Sequence, residues 1–498
     1  MSTETEHVGC MQTKFVWSVS GENLDNNHLV FTIKKLIYSF KRDFPLLFDY
    51  DFNKFGRPKE YLAEELLGLI VYGSFHNKYS CRALADWVFN NDESVNYILN
   101  NKAPKKSTIS SFLQESRVLI DAFFQYIVSF GMKVNLIDGE CVAVDGTIVK
   151  ANASNFRLIR IEEIEFLEDI ILTYGSNWAK NGVWWMLSRY FSNKAKFRSM
   201  VPLIDEIHFK LNYEAIKLLK IALISVEKQE YIFSLLCYLK AKYDGMHTIS
   251  LTDPDSRWMK DKKGNYGLNY NYQVAIDSKT GMVVAQYLTT NPTDHNELLP
   301  MLYEIKSNLN QHPRVVLADT AYLQDISLKY AHEHGIQLVI PDSNESKKSK
   351  PKNMKKPFSK VNFNYDLLND CFICPMGEKL NFKNIRKLNN VPMRVYSTNK
   401  CKSCPIHDQC TKSRVKEIFE PNKPLRLKLH QFYQSEKGQY YYKKRANLDE
   451  GYFGTMRKSR NFQRLERKGL KNGEKELTLR AIAHNIQKIH ENLNTTLI

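Results

Sequence analysis

Between residues 57 and 119 apolar side chains recur at every third or fourth position, with Leu62, Leu66, Leu69 and Ile70 forming one stripe. That period predicts amphipathic helices. Ser80 and, beyond Pro104, Ser107 stand where the N-caps of two further helices are expected. The first 55 residues show no readable period. Residues 141–147, Cys-Val-Ala-Val-Asp-Gly-Thr, are apolar on both faces until an acid and a glycine end the run. This predicts a buried central strand presenting Asp145 at its C-terminal end. Residues 156–243 are helical in pattern, and Trp178, Trp184 and Trp185 there read as core rather than as base-stacking platforms. Strands return at 270–277 and 282–289, a hairpin whose turn ends in Gly281. A helix over 294–309, a second buried strand at 314–319 ending in Asp319, a helix over 324–334 and a strand at 337–340 follow. Helical character resumes at 434–459 and 476–493.

Hairpin strands followed by alternating helix and strand predict an α/β fold, a mixed sheet with flanking helices. The organisation expected is a 1–55 extension, a 56–140 helical DNA-binding domain, a 141–341 first part of the core carrying a 156–243 helical insertion, a 342–433 basic Cys-rich insertion, and a 434–498 last part of the core. Lys102, Lys105 and Lys106 precede the last N-terminal helix, as in a helix-turn-helix reader of DNA. At 498 residues the chain exceeds one core, and 43% apolar residues exclude wholesale disorder. The longest apolar run, 66–75, is too short to cross a membrane. The polar, acidic first ten residues lack a secretory pattern, so a cytoplasmic protein is expected, associated with the nucleoid when on DNA.

Charge sharpens this picture. Residues 341–480 hold 33 basic and 14 acidic side chains, net +19, whereas the other 358 hold 38 and 40, net −2. A neutral body with one basic block predicts a polyanion partner, nucleic acid first, because each phosphate contact releases condensed counterions.

Asp145 and Asp319 both end strands, and reactive crevices of open α/β sheets lie beyond the carboxyl ends of strands. If the two strands are neighbours, a divalent cation between the carboxylates stabilises both as ionised ligands. Glu450 is the candidate third acid of a magnesium site. On a helix it shares a face with Lys443 and Arg457, seven residues away on either side. Lys443, Arg445, Arg457 and Lys458 are the candidate DNA-phosphate ligands. Such a site suits phosphodiester cleavage with Mg2+ or Mn2+. Five of nine cysteines fall at 371–410. In a cytosolic chain they read as a structural Zn2+ site closing a small irregular segment without a core of its own. Cys374, Cys401, Cys404 and Cys410 are the first choice, with Cys371 or His407 as substitutes. Cys10, Cys81, Cys141 and Cys237 read as packing residues.

The run 142–147 with Lys150-Ala151-Asn152-Ala153-Ser154, then Ala318-Asp319-Thr320-Ala321-Tyr322, then Arg445 through Glu450 to Phe453-Gly454, resembles the three acidic motifs of DDE transposases of bacterial insertion sequences. The resemblance extends to Gly56-Arg57-Pro58, Ser80-Cys81-Arg82, Asp253-Pro254-Asp255-Ser256-Arg257, residues 271–277 and Ala483-His484-Asn485. It covers most of 55–490, weakly over 156–243, and includes an InsH-like N-terminal helical domain. It implies a ribonuclease H-like core with Asp145, Asp319 and Glu450 as catalytic metal ligands. It further implies a double-stranded DNA substrate, cleaved at terminal inverted repeats and joined to target DNA by an enzyme acting as a homodimer. Relatives of the wider group carry an arginine four residues before the catalytic glutamate. Here Arg445 stands four before Asp449 and five before Glu450, so Asp449 is held in reserve. The alternatives are a catalytically inactive DNA-binding derivative and a nuclease without strand transfer.

Overall fold

The computed structural model describes residues 24–25, 27–48, 60–90, 92–175, 182–192, 202–341, 356–366, 369–389, 391–421, 424–459 and 462–495. Cys10, the 56–58 motif and Trp178 lie outside them, and Asp449, Glu450 and Lys458 are described in their backbone alone.

Six helices open the chain: α1 Leu29–Asp43, α2 Ala63–Phe75, α3 Cys81–Phe89, α4 Glu93–Leu99, α5 Lys106–Glu115 and α6 Arg117–Lys133. Helix α1 corrects the reading of the first 55 residues as patternless. Val30, Ile33, Leu36, Ile37 and Phe40 are its buried stripe, a regular period flanked by residues that obscure it. Ser80 caps α3 as expected, accepting the Ala83 N–H at 3.1 Å. Ser107 does not cap α5, because the helix already starts at Lys106 with Lys105 in the cap position. Lys102 is committed to the fold, its ammonium 2.9 Å from the buried Glu65 carboxylate.

The main sheet is built from β1 Cys141–Lys150, β4 Arg257–Lys260, β5 Tyr266–Asp277, β6 Val283–Thr289, β7 Val315–Leu317 and β8 Gln337–Val339. Its order is β4-β5-β1-β7-β8, with β6 also paired to β5. β1 runs antiparallel to β5 and parallel to β7, and β7 parallel to β8. An antiparallel meander continued by two parallel strands is consistent with a ribonuclease H-like core. Helices α12 Leu298–Leu309 and α13 Asp325–Glu333 provide the crossovers. Gly281, at φ +79°, closes the β5–β6 turn with a conformation that a side chain would strain.

Alternation along the strands divides the sheet's two faces. Val142, Val144, Val316, Ala318 and Leu338 belong to one large core that also takes in α1, α2, α6 and α12. Cys141, Ala143, Val315, Leu317 and Val339 face the other way, under Tyr433, Tyr441, Tyr442 and Leu448.

Between β1 and β4 the chain makes a separate module, α7 Ile161–Gly175, α8 Gly182–Ser192, α9 Pro202–Lys210, α10 Tyr213–Ala222 and α11 Val226–Ala241. It has its own core, in which Ile164, Leu167, Trp184, Leu187, Leu219 and Leu236 are buried. The short strands β2 Leu158–Arg160 and β3 Thr248–Ser250 pair antiparallel at its base. Trp184 is core, as read from the sequence. Trp185 is not: it is 54% exposed, with the Arg189 guanidinium 4.8 Å from its ring centre. Cys237 is exposed as well, so packing does not account for it.

The Cys-rich segment is not irregular. β9 Asn364–Asp366, β10 Cys371–Ile373, β11 Lys379–Leu388, β12 Val391–Ser397 and β13 Glu417–Pro421 form a five-stranded antiparallel sheet. Phe363, Phe372, Leu380, Tyr396 and Ile418 give it a small core that the cysteine spacing did not announce. A one-turn helix α14 His407–Cys410 lies within it. Three helices end the chain: α15 Pro424–Gln434, α16 Glu436–Gly454 and α17 Leu470–Thr495. Among the described residues no helix is long and apolar enough to cross a membrane.

Candidate active site

β1 and β7 pair in parallel from Cys141↔Val315 to Ala143↔Leu317. Continuing that register by two residues brings Asp145 opposite Asp319, on the face that carries Cys141, Ala143, Val315 and Leu317. Asp145 does not end its strand as the sequence suggested, since β1 continues to Lys150; Asp319 lies two residues beyond the end of β7, close enough for its charge to act on Asp145. Asp319 also caps the short 3-10 turn that follows it, accepting the Ala321 N–H at 2.7 Å.

Two cations attend Asp145. Arg445 Nη2 lies 3.2 Å from Oδ1 and Lys262 Nζ 3.9 Å from Oδ2. Burial pushes the Asp145 carboxyl above its ordinary range; Lys262 and then Arg445 oppose this, while the like charge of Asp319 adds to it. A carboxylate that is 8% exposed and next to another anion has a net demand for positive charge.

Helix α16 brings the third motif to this face. Ser435 caps it, accepting the Gly438 N–H at 3.1 Å. Its Tyr441, Tyr442 and Leu448 cover Ala143 and Leu317, and Tyr452 Oη is 3.0 Å from Tyr272 Oη on β5. Arg445 and Tyr452 thus fix which side of the helix meets the sheet. Position 449 is four residues after one and three before the other, so it falls on that side. Position 450 lies about 100° further round. Residues 455–459 form a π-helical turn, which breaks the seven-residue phase expected from Glu450 to Arg457. Arg457 is turned to β1, where it donates to Thr147 Oγ1. Lys443 is exposed.

Residues 373–490 match a family model described as a transposase DDE domain. Over that stretch, about a quarter of its length, the chain is similar to DDE-type transposases. The matched stretch contains Glu450, Asp449 and the sheet of β11–β13, but neither Asp145 nor Asp319, which the β-sheet register rather than this match brings into the site. No curated protein and no solved structure matches the chain.

Among the described residues no three His, Cys, Asp or Glu side chains are arranged as a ready-made metal site. The donor set at Asp145 and Asp319 nonetheless fits a hard divalent cation: two carboxylates on one face, one of them buried, with charge compensation now supplied by side chains that can move. Cys374, Cys401, Cys404 and Cys410 are all free thiols lining one small cavity of the Cys-rich sheet. Cys374 Sγ accepts the Glu378 N–H at 3.3 Å. Burial raises the Cys410 thiol, Lys416 opposes this, and Cys401, Cys374 and Cys404 add to it. Cys371 is buried in β10 and is not among the residues lining that cavity.

Sequence reading missed Lys262, which sits in the β4–β5 turn and reaches Asp145 only because β5 pairs with β1. Thr147 was inside a quoted motif without a role; its alternation with Asp145 was the available signal.

Proposed function

We propose that this protein is a transposase that binds the terminal inverted repeats of its element, cleaves a strand at each end and joins the freed 3′ ends to target DNA. The observation that carries the reading is the convergence of Asp145 and Asp319 on one sheet face beneath the helix of the third motif. Asp145, Asp319 and one acid of α16 would hold Mg2+ or Mn2+. A bound divalent cation there supplies Lewis-acid polarisation of the phosphoryl oxygens and an activated water or 3′-hydroxyl. Lys262 and Arg445, which flank Asp145, would neutralise the charge of a scissile phosphate brought to that face. Arg457, Lys443 and Lys458 extend the cationic surface along the strand. Paired ends require at least two copies of the chain, and a homodimer is the simplest reacting assembly.

For the third acid, spacing to Phe453-Gly454 supports Glu450 and helical position supports Asp449. Asp145→Asn, Glu450→Gln and Asp449→Asn, assayed for nicking of end-containing DNA, test the whole site. Asp145→Asn and the correct α16 variant lose about 100-fold or more in rate while DNA affinity holds. Wild-type nicking by Asp145→Asn overturns the site. Joining of linear ends separates transposition from simple nucleolysis, and absence of any nicking with tight DNA binding identifies an inactive derivative.

The Cys-rich sheet is proposed to close around Zn2+ through Cys374, Cys401, Cys404 and Cys410. Support comes from the shared cavity and from the backbone N–H donated to Cys374.

A further inference from the structure

The backbone ladder between the two acid-bearing strands stops at Ala143↔Leu317. Asp145 and Asp319 both lie beyond it, so their separation must be set by something other than β1–β7 hydrogen bonds. The reverse face of the sheet offers one connection. Gly146 follows Asp145 and pairs with Gln273 of β5; a side chain at 146 would overlap Gln273 Nε2 and Asp294 Oδ1. Gln273 is fully buried. Its Nε2 donates to Asp294 Oδ1 at 2.7 Å and to Asn271 Oδ1 at 3.0 Å. Asn271 Nδ2 donates to the same Asp294 oxygen at 2.9 Å.

The other end of the amide faces the second acid. Gln273 Oε1 accepts from Tyr322 Oη at 2.5 Å, and Tyr322 is the last residue of the turn that Asp319 caps. Burial raises the Tyr322 hydroxyl far above its ordinary value, with Asp294, Asp145 and Asp319 adding to the shift. It therefore remains a donor at any working pH. A second tie between the same two loops joins Gln324 Nε2 and His295 Nε2 at 2.6 Å. One amide thus joins the residue after Asp145 to the turn after Asp319, just past the point where the ladder ends. A satisfied buried network of this kind selects one geometry where apolar filling would leave several.

We propose that Gln273 is a positioning residue that, anchored by Tyr322 and Asp294, fixes the separation of Asp145 and Asp319 and thereby sets the affinity of that pair for a divalent cation. The inference rests on the metal reading given above. Gln273 touches neither acid and, paired with Gly146, lies on the sheet face opposite to Asp145.

The test is Mn2+ binding to the full-length protein, followed by the electron paramagnetic resonance of the free ion. Wild type, Asp145→Asn, Tyr322→Phe, Gln273→Leu, Asp294→Asn and Asp294→Ala are compared, each with its thermal midpoint. Wild type is expected to bind at a site that Asp145→Asn loses. Tyr322→Phe, Gln273→Leu and Asp294→Ala should weaken that site about tenfold, the effect of removing groups that orient metal ligands. Asp294→Asn should retain it, because its amide oxygen still accepts from Gln273 and Asn271. Half-maximal nicking should move to correspondingly higher Mg2+, with recovery at saturating metal. Unchanged Mn2+ affinity in Tyr322→Phe and Gln273→Leu overturns the inference alone. So does a loss of affinity that merely tracks the thermal midpoint across all variants. A wild type without a site dependent on Asp145 overturns the metal reading itself, and the inference with it.

Discussion

Asp277 shows what burial does to a single carboxyl at the end of β5, three residues along the strand from Val274, the partner of Asp145. Its Oδ2 accepts the Gly139 N–H at 2.9 Å and its Oδ1 the Lys279 N–H at 2.9 Å. Burial still outweighs these bonds and pushes its pKa up to about 6. An acid whose folded pKa exceeds its unfolded value favours folding when protonated. Its contribution is present below the unfolded pKa near 4 and is lost as pH rises through about 6. Lowering pH from 7 to 4 should therefore stabilise wild type relative to Asp277→Asn, by on the order of 2–3 kcal/mol. Denaturant melts of both proteins at the two pH values check this, and a constant difference would refute it. At this scale the sequence was informative where chemistry and pattern coincide. Asp145 and Asp319 were readable because each ends an apolar run. Lys262, Gln273 and Tyr322 were not, since their partners are fixed by β1–β5 pairing and by a turn more than 40 residues distant in the chain.

Among elements, α17 shows why several quoted motifs are structural. Asn485 takes both the N–H and the C=O of Val283, at 2.8 and 2.7 Å, satisfying the outer edge of β6. His484 bonds the Gly281 carbonyl at 2.8 Å. Asp255, from the 253–257 motif, accepts the Leu470 N–H at the start of the same helix and pairs with Lys242 at 2.7 Å. One turn along, the buried Glu476 and Arg480 pair at 2.9 Å, while Glu476 also accepts the Glu466 N–H. The Arg480 guanidinium lies 3.6 Å from the Tyr79 ring centre, which couples α17 to the N-terminal helices. Glu476→Gln should cost about 3–5 kcal/mol, because a buried guanidinium loses its counter-charge; a urea midpoint within error of wild type would contradict it. In the Cys-rich sheet, replacing Cys401 and Cys404 together with serine should abolish bound zinc, read by elemental analysis, and leave β1–β8 folded. Equal zinc in both proteins would remove that site. Helices and the β5–β6 hairpin were legible from period and turn residues alone. The five-stranded sheet was not, because β11 alternates weakly and both its faces are largely exposed beyond Leu380.

For the molecule as a whole, the uneven charge is the property the sequence expressed most directly. Among the described residues the basic excess of 341–480 falls on the Cys-rich sheet, α15, α16 and the start of α17, and of these α15 and α16 cover the face of the main sheet where Asp145 lies. Lys443→Ala should weaken binding to all DNA sequences alike and lower the salt slope of the binding constant by about one. Competition titrations over a range of salt measure this, and an unchanged slope would show that Lys443 contacts no phosphate. The N-terminal helices share one continuous core with the sheet and with α17, so packing fixes their position relative to the acids. The module of α7–α11 is joined differently. Its entry and exit run together as a ribbon, Leu158↔Ser250 to Arg160↔Thr248, extended by the Leu251 N–H to the Arg157 carbonyl at 2.9 Å. Both ends of 90-odd residues therefore return to nearly the same spot. A stretch so hinged can be spliced out or exchanged for another in one event without re-threading the strands around it.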